Sequence, residues 1–279
     1  MTYNFFYSEF NVNKFKRVIF YLKKLRFIKF FNFFVSKVFK LKIKNHQIII
    51  ENLIGKSGVE LGGPSKIFCN SIPLYKVIKD LDSINISKNT LWEGKLSEGS
   101  YFSFDNRKKS GYQYIRDGID LHGIDSCKYE FAISSNAIEH FVNPIKAISE
   151  LVRIIKEDGF ILLLLPNKII NFDHKRENTS FTKILEISDN NIGEDNLDSL
   201  EDIKKNHDFF LDPEAGNLNA FLNRAKDNYK TRFLHHHVYS ENLLLGIFKH
   251  LNLKIILSFS TVTDHIIFGQ KILNNKKKI

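Results

Sequence analysis

Apolar residues recur along the chain in two patterns, short runs typical of buried strands and longer stretches with a helical period. Residues 160–165 form a continuous apolar run, as expected of a central parallel strand that is covered on both faces. Further strands are predicted near residues 58–61, 84–87, 112–117, 129–135, 254–260 and 265–271. Between them lie stretches that favour helices or turns.

The strongest helix prediction begins after Asn143, a good N-cap residue, with Pro144 suited to the first helical position. The apolar residues that fall on one face of this helix are Ile145, Ile148, Leu151, Val152 and Ile155. Asp158 and Gly159 end it. Because the helix joins two predicted strands, it completes a βαβ unit, which predicts a parallel, doubly wound α/β sheet.

A mostly polar insertion at about 170–234 follows the central strand, with helices predicted near 179–187, 197–208 and 217–230. Bare loops of such length are uncommon in compact domains, so the insertion is expected to form a functional lid or wall. Another amphipathic helix is predicted at 241–251 after Ser240, a plausible N-cap. Residues 88–112 are polar and are predicted to be a loop.

The first 44 residues differ from the rest of the chain in charge and in aromatic content. They hold eleven Lys and Arg against Glu9 alone, so this arm carries the whole net charge of +10. They also hold eleven phenylalanines and are predicted to be helical from about residue 13. Two interpretations stay open, a membrane-surface arm that binds anionic lipids and an arm whose phenylalanines dock on the body. Basic charge also permits nucleic-acid binding, but no known nucleic-acid module accompanies it, so none is expected.

Two cysteines, Cys69 and Cys127, give no disulfide framework and no C-x-x-C pair, which favours a reduced, cytoplasmic setting. The chain contains no apolar run of the ~18–20 residues that a membrane span needs. The N-terminus also lacks the order of a signal peptide. We therefore expect a cytoplasmic protein, with the arm peripheral at the inner face of the membrane if it binds lipid. The expected division is an arm at 1–44 and one domain at 45–279.

Candidate ligand chemistry centres on the stretch Gly-Val-Glu-Leu-Gly-Gly-Pro-Ser at residues 58–65. It predicts a short buried strand, a glycine turn that lets a ligand approach the backbone, and then a helix. Glu60, two positions before the first glycine of the turn, favours a positively charged ligand over the pyrophosphate that G-x-G-x-x-G loops bind. An NAD-dependent oxidoreductase is therefore disfavoured.

Three later segments, FAISSNAIEH at 131–140, NPIKAISELVRIIKEDG at 143–159 and FILLLLP at 160–166, resemble the type 11 domain of class I S-adenosylmethionine-dependent methyltransferases. Glu157-Asp158-Gly159 stands where that family usually has Pro-Gly-Gly. The resemblance implies a mostly parallel, seven-stranded Rossmann-like methyltransferase sheet and S-adenosyl-L-methionine as cofactor. The cofactor-binding positions that it implies are Glu60, Gly62, Gly63, Pro64, Ser65, Asn85, Asp117, Ser135 and Asn136.

Two of these positions need comment. The family usually has an acidic residue where Asn85 stands, and that acid binds the ribose hydroxyls, whereas an amide lacks the charge. Asp117 corresponds to an acid that accepts a hydrogen bond from the adenine amino group. The alternative is that Asp117 only caps the turn before Gly118.

Beyond residue 166 the chain resembles a narrower, polysaccharide-cluster-like branch, on the residues NFDHKR at 171–176 and HHHVY at 235–239. That branch implies O-methylation of a sugar or phosphoryl-linked group in capsule or lipopolysaccharide synthesis. Because a hydroxyl acceptor needs a base, the catalytic candidates are His174, His237, His140 and Asp173. In an extended segment His235 and His237 would share one side, with His236 on the other.

Three alternatives accompany this hypothesis. Asp173 and His174 could act as a dyad. A metal held by His235, His237, His174 and Asp173 is chemically acceptable, but the spacing matches no compact metal motif, so no metal is predicted. A non-catalytic Rossmann-like scaffold of a polysaccharide-assembly cluster is the alternative to an enzyme, and Asn85 in place of an acid favours it.

Overall fold

The computed structural model describes residues 12–25, 30–31, 33–34, 41–90, 94–105 and 109–272. The helices, numbered in chain order, are α1 (Val12–Lys24), α2 (His46–Leu53), α3 (Lys66–Cys69), α4 (Pro144–Ile154), α5 (Phe181–Asp189), α6 (Leu200–Asn206), α7 (Leu218–Ala225), α8 (Asn228–Thr231) and α9 (Glu241–His250). Much of the predicted arm, and the tail after residue 272, lie outside the described residues.

The strands are β1 (Ser57–Leu61), β2 (Asp80–Asn85), β3 (Asn89–Thr90), β4 (Gly94–Lys95), β5 (Gly99–Asp105), β6 (Lys109–Ile115), β7 (Tyr129–Ser135), β8 (Ile155–Pro166), β9 (Leu253–Ser260) and β10 (Asp264–Lys271). Eight of them form one sheet in the order β5-β6-β2-β1-β7-β8-β10-β9. The run from β6 to β8 is parallel, while β10 is antiparallel to both its neighbours. The predicted doubly wound, mostly parallel sheet is confirmed.

The sheet has one strand more than the seven predicted, because part of the stretch expected to be a loop forms β5. This strand pairs antiparallel with β6 at the edge of the sheet. Its alternate residues Phe102 and Phe104 are both buried, and Phe104 packs on Tyr75 with ring centroids 5.6 Å apart. Two aromatic residues with a period of two therefore outweigh the polar composition around them. Another pair, β3 and β4, forms a separate small ladder within the same stretch.

Helix α4 begins as predicted, since the Asn143 side chain accepts a hydrogen bond from Lys146 N at 3.1 Å. Its apolar face packs on one side of the sheet together with α9, while α2 covers the opposite side. Strand β8 contributes buried residues to both layers, which explains its unbroken apolar run. The Ser240 cap of α9 is also confirmed by its bond from Leu243 N.

The insertion at about 170–234 contains α5 to α8 and has a small apolar cluster of its own. The third helix predicted there, at 217–230, is instead two short helices, α7 and α8. Residues 226 and 227 between them form a turn, and beyond α8 the Asn228 side-chain oxygen accepts from the backbone N–H groups of Phe233 and Leu234 at 3.1 and 3.0 Å. An asparagine that bonds to backbone in this way competes with continued helix.

Helix α1 docks on the body through one side. Arg17 donates to Phe210 O at 3.3 Å, Phe20 lies 4.9 Å from the ring of His174, and Leu25 is buried. This face of α1 therefore docks on the body, as one of the two interpretations of the arm predicted. The other side leaves Ile19 and Leu22 more than a third exposed. Among the described residues, no helix has the length and apolarity to cross a membrane.

Candidate active site

A cavity of about 1090 Å³ lies at the carboxyl ends of the parallel strands, the place where open α/β sheets bind ligands. Its floor comes from the residues that follow β1, β2, β7 and β8, and the insertion supplies much of the opposite wall. Tyr21 and Phe33 of the N-terminal arm also line it. Sheet, insertion and arm thus enclose one shared space.

The glycine turn after β1 forms one end of this cavity. Gly62 has a φ of +81°, and a Cβ there would lie 2.9 Å from the Cβ of Ala137. At Gly63 a Cβ would meet the Glu60 side chain at 2.2 Å. Gly62, Pro64 and Ser65 line the cavity. Gly63 does not line the cavity, and its Cβ position faces the Glu60 side chain instead. Gly62 is therefore the glycine that brings bare backbone to the cavity, at a φ that favours glycine.

Glu60 lies behind the turn and not in the cavity, which differs from the expectation drawn from its charge. The side chain is fully buried and does not line the cavity. Its carboxylate accepts the Tyr75 hydroxyl at 2.5 Å and Ser65 N at 3.1 Å. Burial, and then the charge of Glu60, raise the pKa of the Tyr75 hydroxyl far above its ordinary value, so Tyr75 stays a donor. Glu60 therefore braces the turn from behind.

Asn85, Ser135 and Asn136 all line the cavity, at the ends of β2 and β7. The Asn85 amide nitrogen donates to Gly63 O and to Ser83 Oγ, both at 3.2 Å. The side chain thus ties the end of β2 to the glycine turn. Its carbonyl oxygen is the amide atom that would accept from a hydroxyl in the cavity.

Asp117 makes the contacts of a turn cap and an ion pair. Its Oδ1 accepts from Ile119 N at 3.3 Å, and its Oδ2 pairs with the guanidinium of Arg232. The neighbouring Gly118 lines the cavity, whereas Asp117 does not. The same guanidinium pairs with the buried Glu194, so Arg232 fastens the insertion to the body.

Another part of the cavity wall holds Glu139, His140, Asp173 and His235. The Nδ1 of His235 lies 2.7 Å from an oxygen of Asp173, and its Nε2 lies 3.9 Å from an oxygen of Glu139. The His140 and His235 rings meet edge to face, with centroids 4.8 Å apart. The strand ends and the insertion therefore contribute jointly to a compact polar cluster.

Burial and mutual charge tune these groups. Burial raises the pKa of the Glu139 carboxyl to about 7 and lowers the pKa of His140 well below its ordinary range. Burial would also lower the pKa of His235, but the Asp173 carboxylate and then Glu139 outweigh it, so that pKa is raised. Despite burial, His235 and Arg176 hold the pKa of Asp173 at about 2. The cluster therefore contains a carboxylate fixed as an anion and an imidazole that favours its charged form.

Two predicted catalytic histidines lie elsewhere. His174 bonds Asp208 at 2.9 Å and does not line the cavity, so the suggested Asp173–His174 dyad is wrong and Asp173 partners His235 instead. His237 bonds Val142 O at 2.9 Å and lines a second cavity of about 380 Å³. Adjacent side chains diverge because residues 171–174 form a turn rather than a strand.

The expected alternation of the histidine run is also wrong. His236 shares the second cavity with His237, while only His235 faces the large one. The segment is coil rather than strand, so alternate residues do not share a side. This arrangement also separates the four residues considered as metal ligands, leaving His235 and Asp173 together.

Two residues of the candidate site were not among the sequence predictions, Glu139 and Arg232. Glu139 stands in the E-H pair of the 131–140 segment, so its motif could have drawn attention to it. Arg232 carried no local signal, because its partners Asp117 and Glu194 lie 115 and 38 residues away.

No protein-family model and no curated protein sequence matches the chain. Solved structures to which it is similar include a SAM-dependent methyltransferase from Aquifex aeolicus, with 11% identity, 85% of this chain and 93% of that chain covered, and a TM-score of 0.45. One from Methanosarcina mazei has 14% identity, 84% and 100% coverage and a TM-score of 0.44. The N-methyltransferase NodS from Bradyrhizobium japonicum has 9% identity, 82% and 95% coverage and a TM-score of 0.42.

Likeness at this level fixes neither a reaction nor a substrate. The sheet itself, a parallel core with a reversed strand beyond β8 and a glycine turn after β1, is the doubly wound, Rossmann-like architecture that the sequence predicted. The polysaccharide-cluster branch stays a prediction.

Proposed function

We propose that the protein is an S-adenosylmethionine-dependent methyltransferase. The observation that carries this is the glycine turn after β1, where Gly62, with a φ of +81° and no room for a side chain against Ala137, lines a cavity of about 1090 Å³. Such a bare backbone suits close approach of a nucleoside and its amino-acid tail. Asn85 would accept from a ribose hydroxyl, with Ser135 and Asn136 along the next strand end.

When bound, the cofactor supplies a methyl group on a positively charged sulfur. The residues of the chain then have to align a nucleophile behind that methyl group, about 3–3.5 Å away, and exclude water. The wall that the insertion forms over the cavity supports the exclusion of water. Arg232 holds that wall in place through its ion pairs with Asp117 and Glu194. Glu139 and His235 line the same cavity as the glycine turn, and their polar groups support acceptor binding beside them.

We further propose a hydroxyl acceptor, of the sugar or phosphoryl-linked kind found in surface polysaccharides. As the new C–O bond forms and the S–C bond breaks, the electron pair of the broken bond goes to sulfur and the hydroxyl proton must be taken up. The polar cluster around Glu139 and His235 supports this choice, because its groups lie on the cavity wall where that proton could be taken up. The glycan assignment itself depends on the sequence resemblance at 171–176 and 235–239.

Isothermal calorimetry of the full chain with S-adenosylhomocysteine tests the cofactor assignment. We expect one site per chain with micromolar or tighter affinity. Absence of measurable heat and of any thermal-shift stabilisation would remove the enzyme hypothesis and leave a scaffold. If the cofactor binds, methyl transfer to a panel of nucleotide-linked sugars, with simple amines as comparison, identifies the acceptor class.

We also propose that the outer face of α1 binds an anionic membrane surface. Val18, Ile19 and Leu22 are 36–40% exposed there, and Lys16 and Lys23 are exposed beside them. Each lysine near an anionic bilayer contributes ~1 kcal/mol. Changing Lys16 and Lys23 to Glu should release the protein from vesicles of acidic phospholipid, whereas Lys204→Glu with Lys205→Glu on the insertion should not. Equal release by both pairs would show a general charge effect and contradict the proposal.

A further inference from the structure

Three side chains from distant parts of the sequence converge on one point of the cavity wall. Glu139 and His140 follow β7, and His235 comes from the end of the insertion. One potential ligand atom from each lies within 4.8 Å of the other two. All three residues line the large cavity, so a ligand held between them would face its interior.

Both imidazoles are oriented through one ring nitrogen. The Nδ1 of His235 bonds Asp173 at 2.7 Å, and the Nδ1 of His140 bonds Leu234 O at 3.2 Å. Imidazoles that bind metal ions commonly donate their other N–H to a carboxylate or a backbone carbonyl in this way. With Nδ1 protonated, Nε2 carries the lone pair that an ion would use. The structure thus supplies both the ligand atoms and the groups that orient them.

Glu139 presents the third ligand. Its side chain is 1% exposed, and within the described residues neither carboxylate oxygen has a hydrogen-bond partner. The 3.9 Å to His235 Nε2 is too long for a hydrogen bond. It is close to the separation of about 3.4 Å expected for two ligands that each lie about 2.1 Å from a tetrahedral ion. Burying a carboxylate whose oxygens accept no hydrogen bond is costly, and a cation between these groups would remove that cost.

We propose that Glu139, His140 and His235 bind a divalent first-row transition-metal ion. Two imidazoles and one carboxylate suit manganese, iron, cobalt, nickel or zinc, whereas magnesium prefers oxygen ligands alone. Three protein ligands leave coordination positions open, as in catalytic metal sites. In a role that rests on the proposed function, the acceptor oxygen would bind at an open position, the ion would lower the pKa of its hydroxyl, and the proton would pass to water rather than to the three ligands.

The full chain, stripped with chelator and dialysed, is titrated with Co²⁺ and followed by its visible absorption, and with Zn²⁺ followed by elemental analysis. We expect one ion per chain and much weaker binding of Mg²⁺. Glu139→Gln and His235→Ala should each lower Co²⁺ affinity at least about tenfold, since each removes one of three ligands. The matched controls are His237→Asn, also buried, and His122→Ala, exposed on the surface, and both should bind Co²⁺ as the parent does.

Circular dichroism and thermal melts separate loss of the site from loss of the fold. S-adenosylhomocysteine affinity, measured on the same variants, separates this site from the cofactor turn, because Glu139→Gln should retain it. Stoichiometric Co²⁺ binding that survives Glu139→Gln and His235→Ala would overturn the proposal. Failure of the parent protein to bind either ion would overturn it as well, whatever its affinity for the cofactor product.

Discussion

The two ends of the large cavity satisfy their polar groups in opposite ways. At the glycine turn, Glu60 is fully buried but accepts hydrogen bonds from Tyr75 and Ser65. At the insertion end, Glu139 is equally buried, yet neither oxygen has a hydrogen-bond partner within the described part of the chain. A satisfied buried carboxylate stiffens a loop, whereas an unsatisfied one on a cavity wall indicates a place for a ligand.

The difference also separates local from long-range construction. Glu60, Ser65 and Tyr75 lie within fifteen residues of one another, so the turn is built from one short stretch. The insertion end joins Glu139 to His235 across nearly a hundred residues, and Arg232 closes it from the same distant segment. Ligand binding at the glycine turn should therefore respond to changes in backbone shape. Binding at the insertion end, which we propose as the acceptor end, should respond to changes in charge pairing.

The largest effect on cofactor affinity is expected from Gly62→Val. A β-branched residue at a φ of +81°, with its Cβ 2.9 Å from Ala137, has to displace the turn. Strain and overpacking of about 3 kcal/mol together correspond to roughly a 100-fold loss of S-adenosylhomocysteine affinity, measured by calorimetry. Gly55→Val is the matched control, because Gly55 also has a positive φ, of +71°, but open space around its Cβ. If Gly55→Val loses a comparable amount of affinity, the effect of Gly62→Val comes from backbone strain in general and not from a ligand at the turn.

Arg232→Ala tests the acceptor end. It leaves the carboxylates of Asp117 and Glu194 without their shared guanidinium, and Glu194 is buried. Removing one partner of a buried pair costs about 3–5 kcal/mol, so the free energy of unfolding in urea should fall by that order. Lys204→Ala, which breaks an exposed pair with Glu201, should change it by less than about 0.5 kcal/mol.

Adding Glu194→Gln to Arg232→Ala sharpens the interpretation. If the loss arises from an unpaired buried charge, the double variant should recover part of the stability. No recovery would mean that the guanidinium acts mainly through packing, for example on the Phe141 ring 5.7 Å away.

The same contrast explains what could be predicted from sequence. The parallel sheet and α4 followed from local patterns, because periodicity and caps act over a few residues. The glycine turn was predicted from a short local motif, whereas Asn85 was placed in the candidate site by the family resemblance. The partners of Asp173 and His237 could not be found, because side-chain direction in coil depends on distant packing. Strand β5 was missed because its two buried phenylalanines stand in a polar stretch.

A smaller effect is expected from acid. Burial lowers the pKa of His236 to about 3 and that of His237 to about 4. The unfolded chain protonates both near the ordinary value of 6.5, so it binds more protons than the native state below that pH. Stability is therefore fully present above about pH 6.5 and falls as the pH drops toward 4, with a slope of up to ~1.4 kcal/mol per pH unit for each histidine.

His236 has a specific reason to stay neutral. Asn228 donates to its Nε2 at 2.9 Å, and the amide cannot flip cheaply because its oxygen holds the N–H groups of Phe233 and Leu234. Protonation would set two donors against each other. His236→Gln should therefore flatten the slope of unfolding free energy between pH 6.5 and 4, measured by urea titrations at fixed pH. An unchanged slope would assign the acid sensitivity to other groups.

Asn85→Ala probes the cofactor end more gently than the glycine change. It removes the donor to Gly63 O and the proposed ribose acceptor. One or two hydrogen bonds of about 1 kcal/mol each predict a loss of S-adenosylhomocysteine affinity of roughly 5- to 30-fold. Ser83→Ala, which removes only the second acceptor of the same amide, should weaken binding by less than about threefold. If Ser83→Ala weakens binding as much as Asn85→Ala does, the Asn85 side chain has a purely structural role.

The smallest effect is expected from His174→Ala. The ring bonds Asp208 at 2.9 Å and packs on Phe20 of α1, outside the cavity lining. Lys175 also pairs with Asp208, so that carboxylate keeps a cation when His174 is removed. Affinities for S-adenosylhomocysteine and Co²⁺ should therefore stay within about twofold of the parent, while the thermal midpoint falls by a few degrees because α1 loses a contact. A tenfold loss of Co²⁺ affinity in this variant would mean that the acceptor end extends to His174, and the division of the cavity into a self-satisfied turn and an unsatisfied metal-binding end would have to be redrawn.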